Sequence, residues 1–307
     1  MNDHIMNKSK RWMHLNARPL DLERFRYHFE NGSKEAVIEA LEAYQNEDGG
    51  FGHGLEADCF NPNSAPIQTW VATEILWEIK MIEPDCSIVK GILKYLASGA
   101  DFDGITWSNT VPSNNQYPRA YWWTHNPQEN QQENYNPTVA LAGFGLMCSK
   151  KTDEFYQKCA NLVTSAIEAL LHTDTCDEMH TLACFVRMTE YCRYANITDL
   201  YDIEYIEQVL REKILACITQ DTSTWSTGYV CKPSQFIRSK ESVYYETLKE
   251  IAEFECGFIK ESQQEDGTWS INWDWLGYEE EFHIAKNWWR ADVIIKNLLY
   301  LNAIENS

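Results

Sequence analysis

Side chains with catalytic potential are concentrated in one short segment, residues 44–60 (YQNEDGGFGHGLEADCF). Its second half carries His53, Glu56, Asp58 and Cys59. Carboxyl groups can donate or accept protons, and a neighbouring histidine can contact a substrate. We therefore interpret Glu56 and Asp58 as candidate catalytic acids and His53 as a candidate substrate contact. The alternative is a polar loop that only closes over the end of a helical scaffold.

A second acidic cluster, DTCDE, precedes a predicted helix and supplies Asp174, Asp177 and Glu178. Carboxyls at a helix N-terminus can share one proton at a raised pKa, which an acid that starts a reaction requires. The same residues also have an ordinary structural use. Asp174 or Asp177 can cap the helix while Glu178 complements its dipole. Capping is the more usual role of such residues.

Aromatic side chains are concentrated in segments that otherwise have the composition of loops. Tyr121, Trp122, Trp123 and His125 lie within residues 99–135, which holds too many large rings for a solvated loop. Aromatic faces attract cations and can stack on sugar rings. We expect these rings to line a ligand site, to fold over it as a lid, or to pack between loops. Further candidate substrate contacts are Trp225, Trp273, Asp274 and His283.

The overall composition restricts the possible partners. The chain has 307 residues, a net charge of −20 and a pI near 4.8, so we expect it to repel nucleic acid and anionic membrane surfaces. The same charge disfavours diphosphate substrates unless a metal or a basic pocket intervenes. The ten cysteines form no C-x-x-C pair, and the chain shows neither a signal-peptide pattern nor a membrane span. These features predict a cytoplasmic location.

Helical periodicity dominates the elements that must position these side chains. Amphipathic segments alternate with segments that are apolar almost all round, such as residues 65–81 and 136–148. This alternation predicts an all-α protein of about eleven helices, in which outer and inner helices follow one another. PSQFIRSKESVYY (233–245) is the weakest of the predicted helices, and residues 1–17 are interpreted as an N-terminal extension.

The long connections are those that lead from a predicted outer helix to the inner helix that follows it. If inner helices run parallel to one another, all of these connections fall at the same end of the molecule, where long ordered loops usually carry function. The long connections are residues 46–63, 99–135, 221–232 and 265–280.

A short motif, Q-x-x-D-G-x-aromatic, recurs in two of these connections. It consists of Gln45, Asp48, Gly49 and Phe51 in the first copy, and of Gln263, Asp266, Gly267 and Trp269 in the second. Weaker copies are DFDGITW and TQDTSTW. The glutamine can tie a helix end to the neighbouring repeat, Asp-Gly supplies a turn with positive φ, and the ring packs over the joint. We therefore predict a structural role for this motif.

These motifs resemble the QW repeats of the terpenoid cyclase and protein prenyltransferase superfamily. The resemblance implies one α/α toroid over residues 1–307, built from five to six helical hairpins. It also implies an enzyme that acts on an apolar or isoprenoid-type substrate in a central cavity at the long-loop end. The superfamily includes domains without terpene chemistry, and a pectate lyase group has a related toroid, so the fold restricts function only loosely.

The same resemblance suggests a zinc site. Prenyltransferase β-subunits follow GGF-x-G with an Asp-x-Cys pair and place a zinc-binding histidine in an inner helix that begins near D-x-x-H-T. The matching residues here are Asp58, Cys59 and His180. Three such ligands can hold zinc in an open site. The pattern departs from the family because Asp58 and Cys59 are adjacent and too many repeats precede His180.

DTCDE also resembles the proton-donor motifs of class II cyclases, D-x-D-D and D-C-T-A-E, but it matches neither of them in full. In one register an alanine is replaced by Asp177, and in the other the central acid is replaced by Cys176.

Two other functions stay open at this point. Carboxylates mixed with tryptophans suit a carbohydrate-active hydrolase or lyase on the same toroid, and a toroid can also bind a peptide or protein without catalysis. The expected ligand is a small molecule or a glycan, with Arg119, Lys286 and Arg290 able to meet one anionic group. An open acidic groove with two carboxyls favours the glycosidase, and a closed apolar cavity favours the cyclase.

Overall fold

The computed structural model describes residues 3–127 and 135–305, and these residues form an all-α protein. Within them there is no β-strand, only isolated bridges, and no helix is both long and apolar enough to cross a bilayer. The all-α prediction is therefore confirmed. The helices are α1 (Asp3–Asn16), α2 (Pro19–Phe29), α3 (Lys34–Glu42), α4 (Pro66–Glu78), α5 (Ser87–Ala97), α6 (Thr138–Cys148), α7 (Glu154–His172), α8 (Met179–Tyr194), α9 (Ile203–Cys217), α10 (Tyr245–Glu261) and α11 (Glu279–Glu305).

The chain divides into two compact units, one of Met1–Leu41 with Leu215–Ser307 and one of Glu42–Ile214. Helix α6 is the centre of the second unit, because every residue in it except Met147 is buried. It packs against α4, α5, α7 and α8. This environment explains why α6 is apolar all round, whereas α5 and α7, which each leave part of their surface exposed, are amphipathic. The circular closure implied by the family resemblance stays a prediction.

The first unit contains α1, α2, α10 and α11, with α11 in contact with each of the other three. Asp3–Asn16 forms α1 and buries Ile5, Ser9, Trp12 and Met13. These positions recur at helical spacing, so they form one packed face. The N-terminal segment is thus part of this unit.

The predicted helix over residues 233–245 is wrong. Only a short 3-10 turn, Pro233–Gln235, forms there, followed by turns up to α10. The buried carboxylate of Glu255 accepts hydrogen bonds from the backbone N–H and the hydroxyl of Ser234, at 2.8 and 2.5 Å. Serine hydroxyls in this segment also bond to nearby backbone N–H groups, as Ser239 does to Glu241. Such local and tertiary bonds compete with helix formation.

The first copy of the repeated motif is a clamp between a turn and a helix of the second unit. The Gln45 side-chain amide donates to the carbonyls of Gly49 and Ile88, each at 3.0 Å. Ile88 lies in α5, so one amide joins the turn to that helix. Gly49 has φ +95°, and Phe51 is fully buried beneath the turn.

The second copy repeats this geometry in the first unit. Gln263 Nε2 donates to the carbonyl of Ile5 at 3.1 Å, the hydroxyl of Ser9 at 3.0 Å and the carbonyl of Gly267 at 3.3 Å. Gly267 has the same φ of +95°, and the buried Trp269 donates its indole N–H to the carbonyl of Ile259 at 2.8 Å. Each glutamine therefore joins its own turn to the backbone of another helix.

We predict that Gly49→Ala lowers the free energy of unfolding by about 3 kcal/mol. The left-handed conformation costs a residue with a Cβ about 1–2 kcal/mol, and the forced contact adds about 1–3 kcal/mol. A Cβ at Gly49 would lie 2.1 Å from the Gly91 carbonyl oxygen, so the two must move apart. Urea denaturation of the full chain measures the effect.

Two glycines serve as matched controls for this substitution. Gly104 also has positive φ, +105°, but a Cβ there meets nothing within 4 Å, so Gly104→Ala reports the conformational cost alone. Gly257 lies inside α10 with open space around it, and Gly257→Ala should be neutral or stabilising by up to about 1 kcal/mol. Equal losses for Gly49→Ala and Gly104→Ala would show that the approach to α5 is not tight.

Candidate functional site

The segment that contains the candidate acids Glu56 and Asp58 is a tightly fastened loop before α4. The Gln68 side chain in α4 accepts a hydrogen bond from the Leu55 N–H and donates to the Asn61 carbonyl, both at 2.9 Å. Glu56 Oε2 accepts from the Asp58 N–H at 2.8 Å. Both carboxyl-bearing residues are buried, with 7% and 3% of their surface exposed. Buried carboxyls are unusual, so this loop keeps its interest as a functional element.

The aromatic loop is joined to this acid loop by backbone hydrogen bonds. The Ala120 N–H donates to the Asp58 carbonyl at 2.8 Å, and the Phe60 N–H donates to the Pro118 carbonyl at 2.9 Å. Cys59 and Arg119 therefore lie opposite one another as an isolated bridge. The structure thus brings together the acid loop and the aromatic loop, which the sequence analysis identified as separate candidates.

Cys59 has a thiol of low reactivity. The pKa of Cys59 is raised to about 12, mainly by burial and in smaller part by the carboxylates of Glu56 and Asp58. The backbone hydrogen bond at Asn61 and the Arg119 guanidinium act in the opposite direction. A thiol with this pKa is protonated at neutral pH when no metal is bound. Among the described residues, no three His, Cys, Asp or Glu side chains form a group that could hold a metal ion. The zinc site of Asp58, Cys59 and His180 stays a prediction.

The aromatic side chains of this loop have different surroundings. Trp123 packs with Trp70 on a buried cluster of Ala65, Ile67 and Val111, so it contributes to the core. Tyr121 is exposed and meets Trp122 edge to face, with ring centroids 4.9 Å apart. Packing against the start of α4 therefore accounts for Trp123, whereas Tyr121 is exposed at the surface beside the half-buried Trp122.

The DTCDE acids make the contacts of a helix start. Glu178 is the N-cap of α8, and its carboxylate accepts from the N–H groups of His180 and Thr181, at 2.9 and 3.2 Å. Asp177 forms an ion pair with Lys213 at 2.5 Å, and Asp174 is exposed. The capping role thus belongs to Glu178 instead of Asp174 or Asp177. A catalytic role for these three acids stays a prediction.

The remaining candidate contacts belong to the unit of Met1–Leu41 and Leu215–Ser307. Trp225 is fully buried and donates its indole N–H to the Thr219 carbonyl at 3.0 Å. Trp273 meets Tyr229 and Trp289 edge to face. Asp274 and His283 are exposed. Trp225 is therefore a core side chain, and Trp273 belongs to an aromatic cluster of this unit.

An open polar pocket of about 400 Å³ lies beside the first clamp, and its catalytic potential was not anticipated from the sequence. It is formed by the clamp turn, the end of the acid loop, and the turn that follows α5. We call it the acid pocket. Its lining residues are Asn46, Glu47, Asp48, Asn63, Ser64, Tyr95, Ala100 and Asp101.

Two carboxyls of the acid pocket have different surroundings. Asp101 accepts a hydrogen bond from the hydroxyl of the buried Tyr95 at 2.8 Å. Burial raises the pKa of Asp101, and the nearby Asp48 carboxylate adds to this effect, against the Tyr95 hydrogen bond and the charge of His125. Asp48 is exposed and accepts from the Gly50 N–H at 2.9 Å and the Ser64 hydroxyl at 2.7 Å. One carboxyl that is half-buried and one that is exposed can divide the roles of acid and base.

Two predicted substrate contacts adjoin the acid pocket. The His53 ring nitrogen Nε2 lies 2.9 Å from Oδ1 of Asn46, a lining residue. His125 acts electrostatically on Asp101 and bonds with Thr110 through Nδ1. Asp101 has φ +54°, a conformation that aspartate adopts more readily than most residues with a Cβ. The sequence signal for this site is an acid, Asp101, that closely follows the end of α5. Its hydrogen bond with Tyr95 could not be predicted from spacing.

A second open recess, of about 540 Å³, lies at the turn between α8 and α9. Its most basic lining residue is Arg193, whose guanidinium is paired with Glu207 at 2.6 Å and with Glu204 at 3.4 Å. These carboxylates neutralise the cation. The acid pocket therefore offers the better arrangement for chemistry.

Comparisons of the chain with protein-family models, with curated protein sequences and with solved structures found no match.

We predict that Asp101→Asn makes the chain progressively more stable than wild type as the pH rises above the ordinary Asp pKa of 3.8. A raised folded-state pKa means that the folded chain binds more protons than the unfolded chain in this window, so the Asp101 contribution to stability falls as pH rises. Asparagine removes this titration, still accepts the Tyr95 hydrogen bond, and tolerates positive φ. Urea denaturation of both proteins between about pH 4 and pH 7 measures the difference.

Asp103→Asn is the matched control, because Asp103 lies in the same turn and accepts from the N–H groups of Ile105 and Thr106, which asparagine can also do. Its stability relative to wild type should show no comparable rise. A constant offset for Asp101→Asn at every pH would contradict the prediction.

Proposed function

We propose that the protein is a carbohydrate-active enzyme that hydrolyses a glycosidic bond in the acid pocket. The observation that carries this proposal is the presence of two carboxyls, Asp48 and Asp101, with different surroundings in one open polar pocket. Pairs of Asp or Glu residues perform this reaction in most glycoside hydrolases. In the proposed mechanism Asp101 is the proton donor and Asp48 is the second carboxylate.

The lining of the pocket suits a sugar. Asn46, Asn63 and Ser64 offer amide and hydroxyl groups that can meet sugar hydroxyls, and the volume lies within the usual range for small-molecule sites. A wall of this polarity gives an isoprenoid chain few apolar contacts. The strongly negative net charge is also compatible with a neutral glycan, since no anionic group has to approach the acids.

In the proposed reaction the Asp101 proton passes to the glycosidic oxygen while the bond from that oxygen to the anomeric carbon breaks. Burial favours the neutral form of Asp101 that must give this proton. On one route the Asp48 carboxylate takes a proton from a water molecule, whose oxygen bonds to the anomeric carbon as the glycosidic bond breaks. On the other route Asp48 attacks the anomeric carbon itself, and a water molecule that gives its proton to the Asp101 carboxylate then cleaves the resulting ester. The configuration of the product distinguishes these two routes. Tyr95 holds the Asp101 carboxyl in place through its hydroxyl.

We predict that Asp101→Asn lowers kcat/KM on natural glycans by about 10²–10⁴-fold, the usual contribution of a general acid. The loss should be smaller on aryl glycosides with a good leaving group, because such groups depart without protonation. Asp48→Asn should impair both substrate classes. Release of reducing ends from a polysaccharide panel, and of phenolate from aryl glycosides, measures these effects.

Asp103→Asn again serves as the control and should retain wild-type kcat/KM. Glycan binding without turnover by the wild-type chain would favour the binding module over the enzyme. Full activity in both Asp48→Asn and Asp101→Asn would exclude the acid pocket as the catalytic site.

A second candidate function follows from the acid loop. Glu56 and Asp58 are buried carboxyl-bearing residues in the loop before α4, and Trp70 and Trp123 pack on an apolar cluster at the start of that helix. Indoles and a buried carboxyl are the groups that a terpenoid-cyclase-like or prenyltransferase-like reaction on an apolar chain would use. For this candidate, Glu56→Gln should reduce turnover of squalene or farnesyl diphosphate by at least about 10²-fold, with Asp101→Asn unaffected. Product analysis by gas chromatography distinguishes the two functions.

A further inference from the structure

Two cysteines that are fourteen positions apart in the sequence meet in the folded chain. Cys217 ends α9 and is half-buried, and Cys231 lies in the loop before the Pro233–Gln235 turn and is 6% exposed. Neither forms a disulfide, and their sulfur atoms are 3.5 Å apart. A disulfide bond length is about 2.0 Å, so the sulfurs need to move together by only about 1.5 Å.

The backbone brings the two residues into this relation. The Thr219 N–H, two residues after Cys217, donates to the Cys231 carbonyl at 3.0 Å. This bond places the two chain segments side by side, which is what a disulfide between them requires. The approach of the sulfurs therefore does not depend on side-chain rotation alone.

Cys231 is held by its neighbours in sequence. Ser234 is bound to the Glu255 carboxylate through both its N–H and its hydroxyl. The Lys232 ammonium lies 5.0 Å from the centre of the Phe258 ring, in a cation–π contact. Glu255 and Phe258 both belong to α10, so the segment that carries Cys231 is fixed to that helix.

The loop between the cysteines is already folded. Its Trp225 is fully buried, packs edge to face on Phe254 and Phe258, and bonds back to the Thr219 carbonyl. Joining the two ends of this loop therefore requires no rearrangement of its interior.

We propose that Cys217 and Cys231 are a site of reversible thiol oxidation that forms an intramolecular disulfide. With hydrogen peroxide as oxidant, the Cys217 thiol is first oxidised to a sulfenic acid, and the peroxide is reduced to water. The Cys231 sulfur then attacks the Cys217 sulfur, the S–S bond forms, and a second water leaves with the Cys231 proton. Cys217 reacts first because it is the more exposed of the two. A dithiol reductant reverses the reaction by thiol–disulfide exchange.

The test is hydrogen peroxide treatment of the reduced, folded chain, followed by alkylation of free thiols and peptide mapping without reductant. We expect a linked pair of peptides containing Cys217 and Cys231, an intact mass lower by two hydrogen atoms, and a Tm higher by several degrees. The rise is expected because a cross-link restricts the unfolded chain. Dithiothreitol should reverse all three changes.

Cys217→Ser and Cys231→Ser should each lose the linked peptides and the rise in Tm. Cys86→Ser, at another half-buried free cysteine, is the control and should behave as wild type. Peroxide that yields only oxidised single cysteines, a different linked pair, or a link that forms only after unfolding would overturn the proposal. If a serine variant does not fold, the wild-type peptide map decides alone.

Discussion

A single side-chain amide determines how the catalytic candidate in the second unit is built. Gln45 donates to its own turn at Gly49 and to α5 at Ile88, so it joins the turn to the helix. Because Asp48 belongs to that turn and Tyr95 to that helix, the same amide sets the opposing walls of the acid pocket. The motif that joins the turn to α5 through Gln45 thus also positions the carboxyl of Asp48 in the acid pocket.

The carboxyls of the acid pocket and of the acid loop differ in how far they are exposed to solvent. In the pocket, Asp101 is half-buried and reachable, with a tyrosine hydroxyl as its partner. In the loop, Glu56 and Asp58 are almost fully enclosed, beside a thiol that burial keeps protonated. The accessible carboxyl suits a polar substrate that approaches from water, whereas the enclosed carboxyls suit chemistry on a sequestered apolar group. The preference for a glycan follows from this contrast in exposure.

Much of the helical pattern could be predicted from the sequence, because burial on one or all sides leaves a clear period in residues such as those of α6 and α7. The repeated motif also predicts the turn itself and a glutamine that ties it to a neighbouring element. The partners of that tie, Ile88 and Ile5, could not be predicted, because they lie 43 and 258 positions from their glutamines. The absence of a helix over residues 233–245 could not be predicted, because the Glu255 carboxylate that binds Ser234 belongs to a helix about twenty positions later. The pairing of Asp101 with Tyr95, and of Cys217 with Cys231, likewise depends on where turns place their neighbours. Contacts that form only when helices pack together do not produce a periodic pattern of residues, so they cannot be predicted from the sequence in this way.

The enclosure of α6 has a consequence for how the second unit assembles. A segment of eleven residues has little helical tendency in water on its own, so α6 owes its stability to neighbours on every side. Two of these neighbours, α4 and α5, precede it in the chain, and two, α7 and α8, follow it. During synthesis on a ribosome, α6 would thus emerge before two of the four helices that pack against it. It stays without a complete apolar environment until the chain has been synthesised through Tyr194.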